Sequence, residues 1–124
     1  MKLKATNEWD RLHSVVVGTA RHMGGTPLLE DAYDPKSKLH IEAGTFPIEA
    51  DCQRELDGLA SLLTDMNVKV LRPDVLPHLN QIFARDVGVV LGDRFLSTRM
   101  IEDRSADCLL YTSDAADEGL GVDL

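Results

Sequence analysis

The chain has 124 residues, 44% hydrophobic and 27% charged, the balance of one soluble globular domain or part of one. Its 21 acidic and 13 basic residues give a net charge of -8, and the basic residues are scattered, which argues against a nucleic-acid surface. No apolar run approaches a membrane span, and Met1-Lys2-Leu3-Lys4 is not followed by the apolar core of a secretory signal, so a cytoplasmic protein is expected.

Asn7-Glu8-Trp9-Asp10 is polar apart from the single tryptophan, whose ring is expected to pack against a sheet edge. Leu12 to Gly18, with Val15-Val16-Val17 at its centre, reads as a short buried strand ended by glycine. From Thr19 to Phe46 there is no sustained period, and Gly24-Gly25, Thr26-Pro27, Asp34-Pro35 and Gly44-Thr45 mark it as a long loop. Loops of that length are often lids or binding segments. Gly24-Gly25 lacks the Lys-Ser/Thr of a P-loop, so it reads as a plain turn.

An amphipathic helix follows. Thr45 is placed to cap it, Pro47 falls in its first turn, and Glu49 and Asp51 complement its dipole. Ile48, Cys52, Leu56, Leu59 and Leu63 form one apolar stripe, and the helix ends near Met66-Asn67. Cys52, on that stripe, is expected to be a small core residue. Val68 to Leu71 is the next strand, cut off by Arg72-Pro73. Strand, helix and strand in succession favour a parallel pair joined by a right-handed crossover.

Val87 to Leu91, the turn Gly92-Asp93 and Arg94 to Ser97 then make an apolar hairpin. Phe83-Ala84-Arg85-Asp86 stands at its mouth. A carboxylate at the entrance of a buried strand must be solvated, paired or used. Pairing with Arg85 or Arg94 and the holding of a polar ligand are both open to Asp86 on the residues alone.

Cys108 to Glu118 resembles the conceptual translation of a transposon-type sequencing-library adapter, and Gly121 to Leu124 is similar to its continuation. Residues 108–124 are therefore expected to be an artefactual tail, set aside from fold reasoning as a fusion scar would be. Without the tail, thirteen basic and seventeen acidic residues leave residues 1–107 at -4. Cys52 is then the one remaining cysteine, too few for a disulfide framework. His13, His22, His40 and His78 have no short metal spacing, and neither Ser14 nor Ser61 lies in a nucleophile elbow. A binding half without a reactive half is the expectation.

Asn7-Glu8-Trp9-Asp10-x-Leu12-x-x-Val15-x-Val17-Gly18 resembles the N-terminal signature of the glycine amidinotransferases, and Val70 to Asp74 resembles their next strand with its Arg-Pro-Asp end. Arg85-Asp86 before an apolar strand, a Gly-polar turn and Met100 also match, while Phe83-x-Arg85-Asp86 is similar to a stretch of the arginine deiminases. Over about residues 7–104 the chain thus resembles the guanidino-group-modifying superfamily.

The resemblance implies an α/β fold, with residues 1–107 as the N-terminal part and first blade (strand, helix, strand, hairpin) of a five-bladed α/β propeller, truncated. It implies a cysteine thiolate attacking a guanidinium carbon, a histidine as general acid and base, no cofactor, a small guanidino substrate as partner, and scope for a homodimer of the full-length protein. Asp86 aligns with the carboxylate that grips the guanidinium, Phe83 borders the pocket in a deiminase-like reading, and Arg85 is a supporting pair. The catalytic cysteine, histidine and acid of the family map to no residue in 1–107, so the fragment is expected to be inactive.

The chain departs from the transferase pattern at Arg11, where the family has proline, and in the loop Thr19 to Phe46. Hydrolysis as in arginine deiminases or dimethylarginine hydrolases therefore stands beside transfer, and a non-enzymatic binding protein on the same scaffold is a further alternative. Apolar surface meant for neighbouring blades is expected to be exposed.

Overall fold

A computed structural model describes residues 3–99. The tail at 108–124, the domain boundary at 107 and Met100 lie outside the described residues. In chain order the elements are β1 (Ser14–Val16), a 3-10 turn (Leu29–Asp31), α1 (Pro35–Glu42), α2 (Glu49–Asp65), β2 (Lys69–Leu71), a 3-10 turn (Ala84–Asp86), β3 (Gly88–Leu91) and β4 (Arg94–Ser97).

β1 and β2 pair in parallel, with Val15 opposite Val70, as strand, helix and strand in succession require. The paired part is shorter than the β-branched run, although Lys69 N–H to His13 O (2.9 Å) and Val17 N–H to Leu71 O (3.0 Å) continue the ladder at each end. β3 and β4 form the hairpin in the register read from the sequence, Leu91 opposite Arg94 across Gly92-Asp93. Gly92 has φ +63, the positive value a tight hairpin turn needs at that position.

The four strands make two separate two-stranded sheets rather than one mixed sheet. Two isolated bridges, Ala5 with Gly92 and Thr19 with Gln81, tie further segments to them. The architecture is mixed α/β, and no closed sheet forms among the described residues.

Three expectations are corrected. Trp9 does not pack on a sheet edge but is 84% exposed. The carboxamide oxygen of Asn7 accepts from the Trp9 and Asp10 backbone N–H groups (3.1 and 2.8 Å), and this turn holds residues 7–10 by itself. The segment Thr19 to Phe46 is not all loop, because it contains α1. Asp34 caps that helix by accepting from Ser37 N–H (2.9 Å), and Pro35 opens it.

Gly44, at φ +66, ends α1: Gly44 N–H bonds Ile41 O (3.1 Å) and Thr45 N–H bonds His40 O (2.8 Å), a Schellman closure. Thr45 therefore does not cap α2. Its hydroxyl lies 2.9 Å from His40 Nδ1, and Ile48 takes the N-cap position of α2 with no side-chain bond.

Among the described residues the core is small, its buried apolar members being Val17, Ala20, Ala32, Val68, Leu79 and Val87. Gly18 fits where it does because the chain at Gln81 and Ile82 crosses directly over it. A Cβ there would stand 2.2 Å from Gln81 O and 2.3 Å from Ile82 O. Gln81 is itself fully buried and holds the preceding loop, donating to Asp74 O (2.9 Å) and accepting from Leu76 N–H (2.8 Å). Apolar side chains remain outside in number, among them Leu59 and Leu62 on α2, Met66 just after it, and Val89, Leu91 and Leu96 on the hairpin.

Candidate functional site

The 3-10 turn Ala84–Asp86 carries the carboxylate singled out in the sequence. Its backbone is closed by Asp86 N–H to Phe83 O (3.0 Å) and Val87 N–H to Ala84 O (3.2 Å). Val87, 2% exposed, anchors it in the core. From the far end of the hairpin, Thr98 N–H bonds Val87 O (2.9 Å), and the Thr98 hydroxyl donates to Asp86 O. The position of Asp86 is thus set by a buried valine on one side and by the exit of β4 on the other.

Its side chain is 44% exposed, with Arg85 Nε 3.9 Å away on a guanidinium that is almost wholly in solvent. An ion pair so long and so wet contributes little, about 0–1 kcal/mol. Phe83, 53% exposed, precedes the turn. Phe83, Arg85 and Asp86 are therefore consecutive or nearly so around one short turn, with an aromatic ring, a cation and a carboxylate all reaching solvent.

A second polar constellation escaped the sequence reading. Thr19, buried behind β1, donates from its hydroxyl to Gln53 Oε1 (2.9 Å), which also accepts from Ala20 N–H (2.9 Å). Gln53 Nε2 donates to Asp57 Oδ1 (2.7 Å), and the same oxygen accepts from Arg72 Nη2 (2.8 Å). Arg72 Nη1 reaches Leu56 O (3.2 Å). This relay fastens α2 to the loops that leave β1 and β2, and it gives the Arg72 of the Arg-Pro-Asp stretch a structural task.

The relay forms one side of an open cleft of about 560 Å³. α2 contributes Gln53, Asp57, Ala60, Ser61, Thr64 and Asp65, while the loops contribute Thr19, Arg21, Arg72, Pro73 and Val75. Phe83, Arg85 and Asp86 do not line it. The signal for this side of α2 was present as Gln53, Asp57, Ser61 and Thr64 at helical spacing, a polar stripe beside the apolar one. Polar stripes usually face water, so periodicity gave no reason to select it. Among the described residues, no three of the metal-ligating side chains His, Cys, Asp and Glu gather into a cluster. No helix there is long and apolar enough to cross a membrane.

Comparison with solved structures gives the fold a parallel. An inosamine-phosphate amidinotransferase from Streptomyces griseus superposes with a TM-score of 0.65 at 23% identity, over 98% of this chain and 42% of that one. The chain has the fold of part of that amidinotransferase. SxtG, an amidinotransferase from Microseira wollei in the saxitoxin biosynthetic pathway, matches with a TM-score of 0.65 at 21% identity, over 92% of this chain and 38% of that one. The chain thus spans about two fifths of the length of these amidinotransferases. No family model matches it, and no curated protein does.

Proposed function

We propose that this chain supplies the guanidinium-holding part of an enzyme that moves an amidino group. The observation that carries the reading is the place of Asp86: a half-exposed carboxylate, fixed by Val87 and Thr98 at the mouth of a hairpin, in a chain with the fold of part of an amidinotransferase. A guanidinium is planar and cationic and meets a carboxylate through two parallel N–H···O bonds. Each charge-assisted bond contributes about 1.5–3 kcal/mol. Asp86 takes the guanidinium, Phe83 borders it with an apolar edge, and Arg85 balances the carboxylate when the site is empty.

The chemistry belongs to groups supplied beyond this carboxylate. A thiolate attacks the central carbon of the guanidinium, a C–S bond forms, and the C–N bond to the departing amine breaks as a general acid protonates that nitrogen. A second amine then takes the amidino carbon and releases the thiolate. Asp86 holds the carbon in place through both steps and neither gains nor loses a proton. Transfer to an amine is favoured over capture by water because two solved structures similar to this chain are amidinotransferases.

The extent of outward apolar surface agrees with such a part. Strand β3 is apolar on both sides, and Val89 and Leu91 stand in solvent while Gly88 and Val90 are half-buried, a pattern suited to a strand covered on both faces.

The test is to express the complete reading frame, incubate it with L-arginine and examine it by mass spectrometry. A mass increase equal to one amidino group on a cysteine supports the reading. A complete frame that encodes no further histidine and no further cysteine, or one that never acquires the adduct, overturns it.

A further inference from the structure

Asp86 closes a 3-10 turn, and the direction of its side chain is set by the two peptide planes on either side of its Cα. The plane before it is held by Asp86 N–H to Phe83 O (3.0 Å). The plane after it is held at both ends. Val87 N–H bonds Ala84 O inside the turn (3.2 Å), and Asp86 O accepts from the hydroxyl of Thr98, twelve residues along the chain. Hydrogen bonds of 3-10 geometry are poor and hold a short turn loosely. A plane anchored through such a bond alone can swing about it, and the bond from outside the turn removes that freedom.

The register of the hairpin delivers Thr98 to this place. Ser97 stands opposite Gly88, so the next residue out falls beside Val87, and Thr98 N–H bonds Val87 O (2.9 Å). Any residue but proline offers that N–H. The hydroxyl is what threonine adds, and it goes to the carbonyl of the residue that carries the carboxylate. Thr98 is exposed, so this bond lies outside the core, where a substitution changes global stability little.

We propose that Thr98 is a positioning residue for guanidinium binding: its hydroxyl holds the Asp86 carbonyl and thereby aims the Asp86 carboxylate. The inference rests on the reading of Asp86 as the guanidinium partner. Two parallel N–H···O bonds need both carboxylate oxygens in the plane of the guanidinium, and they weaken steeply as the carboxylate turns out of it. A carboxylate already aimed loses less freedom when the ligand arrives. Thr98 itself touches no substrate and acts through Asp86.

The test is calorimetric titration of L-arginine into the protein expressed from its complete reading frame, carrying Thr98→Val, Thr98→Ser, Asp86→Asn, or Asp86→Asn with Thr98→Val. Valine keeps the branched shape and removes the donor, whereas serine keeps the donor. Thr98→Val is expected to weaken L-arginine about fivefold or more, and Thr98→Ser to stay within about twofold of the parent, both with the parent's urea midpoint. In the Asp86→Asn background Thr98→Val is expected to change affinity less than about twofold, because no charge is left to aim.

Thr98→Val binding as the parent does, while Asp86→Asn binds weakly, overturns the role of Thr98 and leaves that of Asp86 standing. Thr98→Ser as weak as Thr98→Val, an equal loss with and without the Asp86 charge, or a loss that follows a lowered urea midpoint also overturns it. A parent that does not bind L-arginine, or Asp86→Asn binding as the parent does, overturns the reading of Asp86 and this inference with it.

Discussion

The two helices differ in what holds them. α1 buries none of its residues and is defined at its ends: Asp34 and Pro35 start it, and Gly44 and Thr45 stop it. α2 is the reverse. Its N-cap residue, Ile48, makes no side-chain bond, and its first-turn charges are Glu49 and Asp51. It is held along its length, by packing on β2 and by Gln53, Asp57 and Leu56 O, which bond the loops of the parallel pair. A helix fixed by its caps can form and melt without disturbing its neighbours, whereas a helix fixed by cross-links unfolds with the sheet it serves.

That contrast sets a scale for breaking each part. The largest effect is expected at Gly18, where a Cβ would meet the backbone oxygens of Gln81 and Ile82. Gly18→Ala must push apart the two segments that connect β1 to the approach to Asp86, at a cost of about 3 kcal/mol. Urea unfolding measures it, and a loss under about 1 kcal/mol would mean that the crossing is loose.

Gln81→Ala comes next. It leaves Leu76 N–H and Asp74 O without their partner in a part-buried loop, at about 2 kcal/mol. The global midpoint falls in the same assay, and α1 contributes nothing to the change.

Smaller and local are the effects at the ends of α1. Asp34→Ala and Gly44→Ala remove a start signal and a stop signal, and hydrogen exchange of residues 37–43 is expected to quicken while the exchange of α2 stays as it was. Acid does the same to the first of these. The hydrogen bonds from Ser37 hold the Asp34 carboxyl below its ordinary value of 3.8. The cap is therefore complete above that value and is lost as pH falls beneath it, through the lower folded-state pKa. Exchange in α2 that rose together with that of α1 would show that the two helices do not stand on separate supports.

How far the sequence could be read follows the same division. The hairpin was legible residue by residue, since a β-branched run, a Gly-Asp turn and a second apolar run leave a single register. The body of α2 and its end near Met66 were legible from the 3.6-residue period. Its beginning was not, because Thr45 has the chemistry of a cap and is engaged by α1 instead. α1 itself has good end signals but no apolar stripe, and a reading led by periodicity passes it over as loop.

Trp9 was placed by its size, yet the turn built by Asn7 decides its direction. At the candidate site, Asp86 could be found because a charge beside an apolar strand is out of keeping with its surroundings. Gln53, Asp57 and Arg72 could not, as their meeting depends on how α2 lies across the parallel pair.

The most direct test of the central claim is calorimetric titration of L-arginine into the protein from its complete reading frame, before and after Asp86→Asn. The replacement keeps the size of the side chain and removes its charge. Loss of one charge-assisted bond to the guanidinium is expected to weaken binding about tenfold to a hundredfold, with the urea midpoint unchanged. An affinity that survives Asp86→Asn, or one that falls only in step with a lowered urea midpoint, would contradict the assignment of Asp86 as the guanidinium partner.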